Sequence, residues 1–116
     1  MSKIKITVGG AFEEEAGRRF IDAWHRAERG KKLRERYLTF ENWDTLARIL
    51  TGKRMELLRY VRRHEVTSVR ALAKALKRDY SNVHADVQAL AEAGLVDTAD
   101  GGIRADYDAI ETRIAI

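Results

Sequence analysis

A chain of 116 residues has room for one modest hydrophobic core, and 45% hydrophobic against 34% charged residues excludes wholesale disorder. The absence of cysteine removes disulfides, thiolate metal sites and thiol catalysis; no apolar run approaches the roughly 20 residues of a bilayer span, and the opening MSKIKITVGG lacks the apolar core of a signal peptide, so a cytoplasmic protein without a membrane partner is expected. The net charge of +4 is unevenly spread: Lys and Arg outnumber Asp and Glu by 9 to 5 over residues 51–96, against 11 to 8 before and 2 to 5 after, so the most basic block is central and suits contacts to phosphates.

Lys3 to Val8 alternates, with Ile4, Ile6 and Val8 on one face and Lys3, Lys5 and Thr7 on the other, which predicts a half-buried strand. From Ala11 to about Arg29, Phe12, Ala16, Phe20, Ala23, Trp24 and Ala27 form one helical stripe. Glu14 with Arg18, Glu15 with Arg19 and Asp22 with Arg26 place each acid one turn before its base on the solvent face. Gly30 closes that helix, Lys31 and Lys32 read as loop, and Arg34 to Phe40 reads as a strand with Tyr37, Leu38 and Phe40 as its apolar members.

A helix is expected from about Glu41 to Leu50 with Trp43, Leu46, Ala47 and Leu50 inward. Thr51 caps the next, whose core face is Met55, Leu58 and Val61 and whose end lies near His64; Ser68 caps a helix carrying Leu72, Ala73 and Leu76. A polar turn follows at Lys77 and Arg78, and Asp79 supplies an N-cap oxygen for a helix that Gly94 stops. Leu95 and Val96 start an extended segment that Asp100-Gly101-Gly102 turns back toward Ile103 and Arg104. Ile110, Thr112, Ile114 and Ile116 alternate as a last strand, expected to share a sheet with the first because Lys3 and Lys5 oppose Glu111 in charge. Helix, short turn, helix and hairpin in succession is the layout of a winged helix-turn-helix DNA-binding module.

On the helix after Asp79, a turn of 100 degrees per residue puts Val83, Val87 and Leu90 on one buried seam. Ser81, Ala85 and Gln88 lie opposite, flanked by Asn82, His84 and Ala89. Small residues let a backbone approach a groove floor, Gln88 and Asn82 can pair with adenine, and Ser81 can serve several bases. Tyr80, Ser81, Asn82, His84, Ala85 and Gln88 are therefore the expected base readers. Arg70, Lys74, Lys77, Arg78 and Arg104, with Lys53 and Arg54, are the expected phosphate contacts, against the bland reading that long basic side chains only solvate a surface.

The pattern Leu72-Ala73, Asp79, Val83, Val87, Leu90 and Gly94-Leu95-Val96 resembles the MarR-like and ArsR-like winged-helix repressors. Phe40-Glu41-Asn42-Trp43 through Leu50-Thr51, Arg54, Leu57-Leu58 and Arg78-Asp79-Tyr80-Ser81-Asn82-Val83-His84-Ala85-Asp86-Val87 is similar to a small family of prokaryotic winged-helix regulators, some encoded as antitoxins beside a toxin gene. The resemblance implies DNA binding, dimerisation and a toxin protein as a further partner. Lys77 and Arg78 depart from the repressor pattern, where the turn has glycine and an apolar residue.

An enzyme is the least expected class. His25, His64 and His84 have no cysteine partners and no close helical spacing, so no metal is expected. Ser68 and Ser81 lack a nucleophile-elbow setting, and Gly9-Gly10 lacks the lysine of a phosphate loop, so no cofactor is expected either. Glu13-Glu14-Glu15 is explained by a helix N-terminus.

The competing reading is a winged helix that binds protein, through Tyr80, His84 and Gln88; Phe20 and Trp24 serve either as ordinary core or as a dimer contact. The expected architecture is α+β: an N-terminal strand-helix-strand extension over residues 1–40 that dimerises or holds a partner, then a winged helix-turn-helix unit with a C-terminal strand over 41–116. Its expected function is that of a homodimeric transcriptional repressor on a pseudo-palindromic site of double-stranded DNA, with recognition helices about 34 Å apart.

Overall fold

In the computed structural model of the chain, which describes residues 2–9 and 34–116, the alternating opening segment forms β1 (Ser2–Val8) and the expected second strand forms β2 (Arg34–Phe40). The expected helix over Ala11 to Arg29, with Phe20, Trp24, His25 and the three-glutamate run, lies outside the described residues. The helices are α1 (Trp43–Ile49), α2 (Gly52–Arg63), α3 (Val69–Leu76) and α4 (Tyr80–Glu92), and the chain ends in β3 (Ala109–Ile114). Among the described residues this is an α+β fold of four helices and one three-stranded parallel sheet in the order β2-β1-β3.

The chain divides into two compact units, one of Met1–Arg48 with Tyr107–Ile116 and the other of Ile49–Asp106. These bounds differ from the division expected at residue 40, which joined the last strand to the helices. β3 leaves the helical unit because its ladder is made with β1, from Lys3 opposite Ala109 to Val8 opposite Ile114. The sheet partnership expected for the first and last strands is present, and Lys3 Nζ meets Glu111 Oε1 at 2.8 Å.

In the sheet unit, β1 is buried on both faces. Ile4, Ile6 and Val8 are enclosed, and so are Lys5 and Thr7, which the alternation had assigned to solvent. Parallel sheets are packed over on both faces, and burial of both faces here overrides a half-polar pattern. The Lys5 ammonium lies 3.5 Å from Glu35 Oε1 on β2, and the Tyr37 hydroxyl donates to the other Glu35 oxygen. Tyr107, leading into β3, is buried, and burial pushes its hydroxyl up to about 12 against the opposing pull of the Arg36 charge.

α1 starts where Asn42 Oδ1 accepts from the Thr45 N–H at 2.9 Å. Its buried residue is Leu46; Trp43, expected inward, is 54% exposed, and Ala47 is exposed too. Two turns present a narrow inner face, which leaves Leu46 as the buried residue of this helix.

In the helical unit, Thr51 Oγ1 accepts from Arg54 N–H at 3.3 Å and Ser68 Oγ from Ala71 N–H at 3.0 Å, so both expected caps form. Leu57, Leu58, Val61, Leu72, Ala73, Val83, Val87, Leu90, Leu95 and Val96 make its core, together with Val66, Ile103 and Ala105.

Candidate nucleic-acid interface

The junction between α3 and α4 is a tight left-handed stop. Lys77 adopts φ 54° and ψ 46°, its N–H donates to Lys74 O at 3.2 Å, and the Arg78 N–H reaches back to Ala73 O at 3.0 Å. These are the two bonds of a Schellman motif, which favours glycine at the position Lys77 holds. The departure noted in the turn is thus accommodated with a strained lysine. The far end of α4 closes the same way, with Gly94 at φ 84° and Leu95 N–H donating to Leu90 O at 2.8 Å.

Asp79 stands at the N-cap of α4, but its side chain makes no cap bond to a backbone N–H. The carboxylate accepts instead from the Ser81 hydroxyl. That hydroxyl holds the Asp79 carboxyl below its usual value. The expected cap oxygen is corrected to a brace on Ser81.

α4 turns Val83, Val87 and Leu90 into the core. Every expected base reader is exposed: Tyr80, Ser81, Asn82, His84, Ala85 and Gln88. Arg70 of α3 lies over the Tyr80 ring, its guanidinium carbon 5.2 Å from the centroid, and the His84 ring lies tilted beside it with centroids 5.9 Å apart. The Arg70 contact joins two helices, and no local spacing announces it.

The seven expected phosphate contacts separate. Lys53, Arg70, Lys74, Lys77 and Arg104 are exposed. Arg54 and Arg78 are drawn inward: Arg54 Nε donates to Asp86 Oδ1 at 3.0 Å, and Arg78 Nη2 to Asp86 Oδ2 at 2.7 Å. The three side chains are only 19%, 20% and 14% exposed. Arg54 also donates to Ile49 O at 3.1 Å, and Arg78 Nη1 is enclosed with no hydrogen-bond partner among the described residues. These two arginines bind α4 to α2 and to the turn, unlike the five exposed cations expected at phosphates.

Beyond α4 the chain pairs as two antiparallel bridges, Asp97 with Arg104 and Val66 with Ile103. Asp97 and Arg104 exchange both backbone bonds, at 2.8 and 2.9 Å, and Ile103 N–H donates to Val66 O at 3.0 Å. The segment before α3 thus meets the expected hairpin through a single isolated bridge. The turn between them uses Gly101 at φ 80°, and a Cβ on Gly102 would sit 2.8 Å from Val66 O. Arg104 pairs with Asp106 at 3.0 Å on the surface. A groove of about 420 Å³ opens beside this ribbon, lined among others by Val61, His64, Val66, Asp100, Ile103 and Asp106. His64 stacks on Tyr60 with ring centroids 4.0 Å apart, as a helix-end residue.

Among the described residues no helix is long and apolar enough to cross a membrane. No curated protein and no solved structure matches the chain. The HVO_A0114 family matches it over residues 49–112, which begins where the helical unit begins and runs into β3. That match spans more than half of the sequence, and the chain belongs to the HVO_A0114 family.

Proposed function

We propose that the chain is a winged helix-turn-helix DNA-binding regulator, related to the MarR-like and ArsR-like repressors, that binds a pseudo-palindromic operator as a homodimer and acts by occupying a promoter rather than by catalysis. The observation that carries the reading is the division of α4 into an enclosed face, Val83, Val87 and Leu90, and an exposed face of small and amide side chains, Ser81, Asn82, Ala85 and Gln88. An exposed face of that composition fits a major groove, where Gln and Asn pair with adenine and small residues let the helix approach.

Three further observations support it. The helix-turn-helix is followed by a turn whose two arms pair at Asp97 and Arg104, with Ile103 bridged to Val66 ahead of the first helix, the order of elements in a winged helix. The exposed cations Arg70, Lys74 and Lys77 lie on α3 and the turn beside the start of α4, where a duplex in that groove brings its phosphates. The residues matched by the family contain this whole unit.

A second reading, a partner protein such as a toxin bound on the same face, is favoured by one feature: Tyr80, 44% exposed and stacked by Arg70, is of the residue types that dominate protein interfaces. Selection of genomic fragments by the purified chain at near-physiological salt separates the two. An enriched two-fold motif is expected for the regulator. No enrichment, with binding indifferent to salt, is the outcome of the protein-binding reading.

A further inference from the structure

The sheet has an open edge at β3: among the described residues its neighbour is β1 alone, and Thr112, Arg113 and Ile114 are exposed. The Ala115 N–H donates to Val8 O at 3.0 Å. Because backbone groups alternate in direction along a strand, the odd-numbered residues of β3 address β1, while Ile110, Thr112 and Ile114 turn their N–H and C=O groups to the open edge.

We propose that this edge pairs antiparallel with the β3 edge of a second copy, about a two-fold axis at Thr112. The open groups allow an axis at Ile110, Thr112 or Ile114. At Ile110 the axis opposes Glu111 to the partner's Ala109, and at Ile114 it opposes Arg113 to the partner's Ala115. At Thr112 it opposes Glu111 to the partner's Arg113, and Arg113 to the partner's Glu111, as close non-hydrogen-bonded pairs. The same axis puts Ile110 against the partner's Ile114 and covers Ile114, 47% exposed in the single chain. About six N–H···O bonds join the copies, two for each of three hydrogen-bonded pairs.

The opposite edge offers no such match. Gly9 N–H donates to Phe40 O at 3.1 Å, so Glu35, Tyr37 and Thr39 face outward on β2. An axis at Tyr37 opposes Arg36 to Leu38, and one at Thr39 opposes Leu38 to Phe40, neither of them a pair of opposite charges. Self-complementarity belongs to β3, and closure about a two-fold leaves no free β3 edge to propagate. The purpose of this dimer rests on the regulator reading above; its strand geometry does not.

Light scattering on the full chain without DNA tests it. The wild type is expected at twice the 13.3 kDa chain mass. Glu111→Arg alone and Arg113→Glu alone are each expected to be folded monomers, and mixing them in equal amounts to restore the doubled mass, because opposite charges then face each other again. A monomeric wild type, single variants that stay dimeric, or a mixture that stays monomeric overturns the proposal. Should either variant unfold, Thr112→Cys in this cysteine-free chain decides. Cα atoms in a hydrogen-bonded pair stand about 5.5 Å apart, within disulfide reach. Oxidation is expected to cross-link Thr112→Cys but not Arg36→Cys on β2, and absence of the first cross-link overturns the axis. A monomer that still selects DNA removes this surface alone, whereas a dimer that selects none removes the regulator reading alone.

Discussion

Arg78 in the turn and Asp86 in the middle of α4 are joined at 2.7 Å, and Arg54 at the start of α2 holds the other oxygen of the same carboxylate. Asp86 therefore fixes the angle at which the exposed face of α4 leaves the protein. Three mostly enclosed charges are balanced only as a group, since removing one partner leaves buried charge uncompensated.

Asp86→Ala is accordingly expected to lower stability by about 2 kcal/mol, because both guanidinium groups lose their acceptor. Urea unfolding followed by circular dichroism measures this. A loss below about 0.5 kcal/mol, the range of exposed ion pairs, contradicts the structural role.

Lys77→Gly separates folding from binding. Relief of the left-handed lysine is expected to raise stability by about 1 kcal/mol. The same change removes an exposed cation, so affinity for any duplex is expected to fall and the salt slope to shrink by roughly 0.9. Thermal unfolding and a salt series on random DNA read the two effects independently.

Gly102→Ala is expected to cost about 1–3 kcal/mol, since the added methyl meets the carbonyl oxygen of Val66 at 2.8 Å and parts the bridge between Val66 and Ile103. Gly52→Ala is the control: nothing lies within 4 Å of its Cβ, and at the first position of α2 alanine is expected to be neutral or slightly stabilising. Equal losses at both positions contradict the close approach.

Tyr107 sets an alkaline limit on the sheet unit. Its folded pKa of about 12 lies above the ordinary value of 10, so its neutral hydroxyl favours the fold fully below pH 10 and that contribution is lost as pH climbs toward 12. Stability is expected to fall across that window in the wild type and less steeply in Tyr107→Phe. Absorbance titration of the phenol assigns the transition.

Much of the helical unit is legible in the sequence because its signals are local. Thr51 and Ser68 precede amphipathic stretches and cap them, and Gly94 takes the left-handed residue that ends α4. The pairing of β1 with β3 is legible from opposed charge, Lys3 with Glu111. What escapes the sequence depends on partners distant in the chain. Lys5 and Thr7 alternate like surface residues, yet β1 lies between two strands and both faces are closed. Arg54 and Arg78 read as free cations because Asp86 lies 32 and 8 residues away, off any single helical turn. Asp79 has the right position for a cap, but Ser81 two residues on competes for its carboxylate.

Base reading by the outer face of α4 is measured by titrating a selected operator and a scrambled duplex with the wild type and with Gln88→Ala. Gln88→Ala is expected to weaken operator binding about tenfold, the value of one lost paired contact, and to leave the scrambled duplex unchanged. Equal losses on both duplexes, or no loss on either, would contradict it.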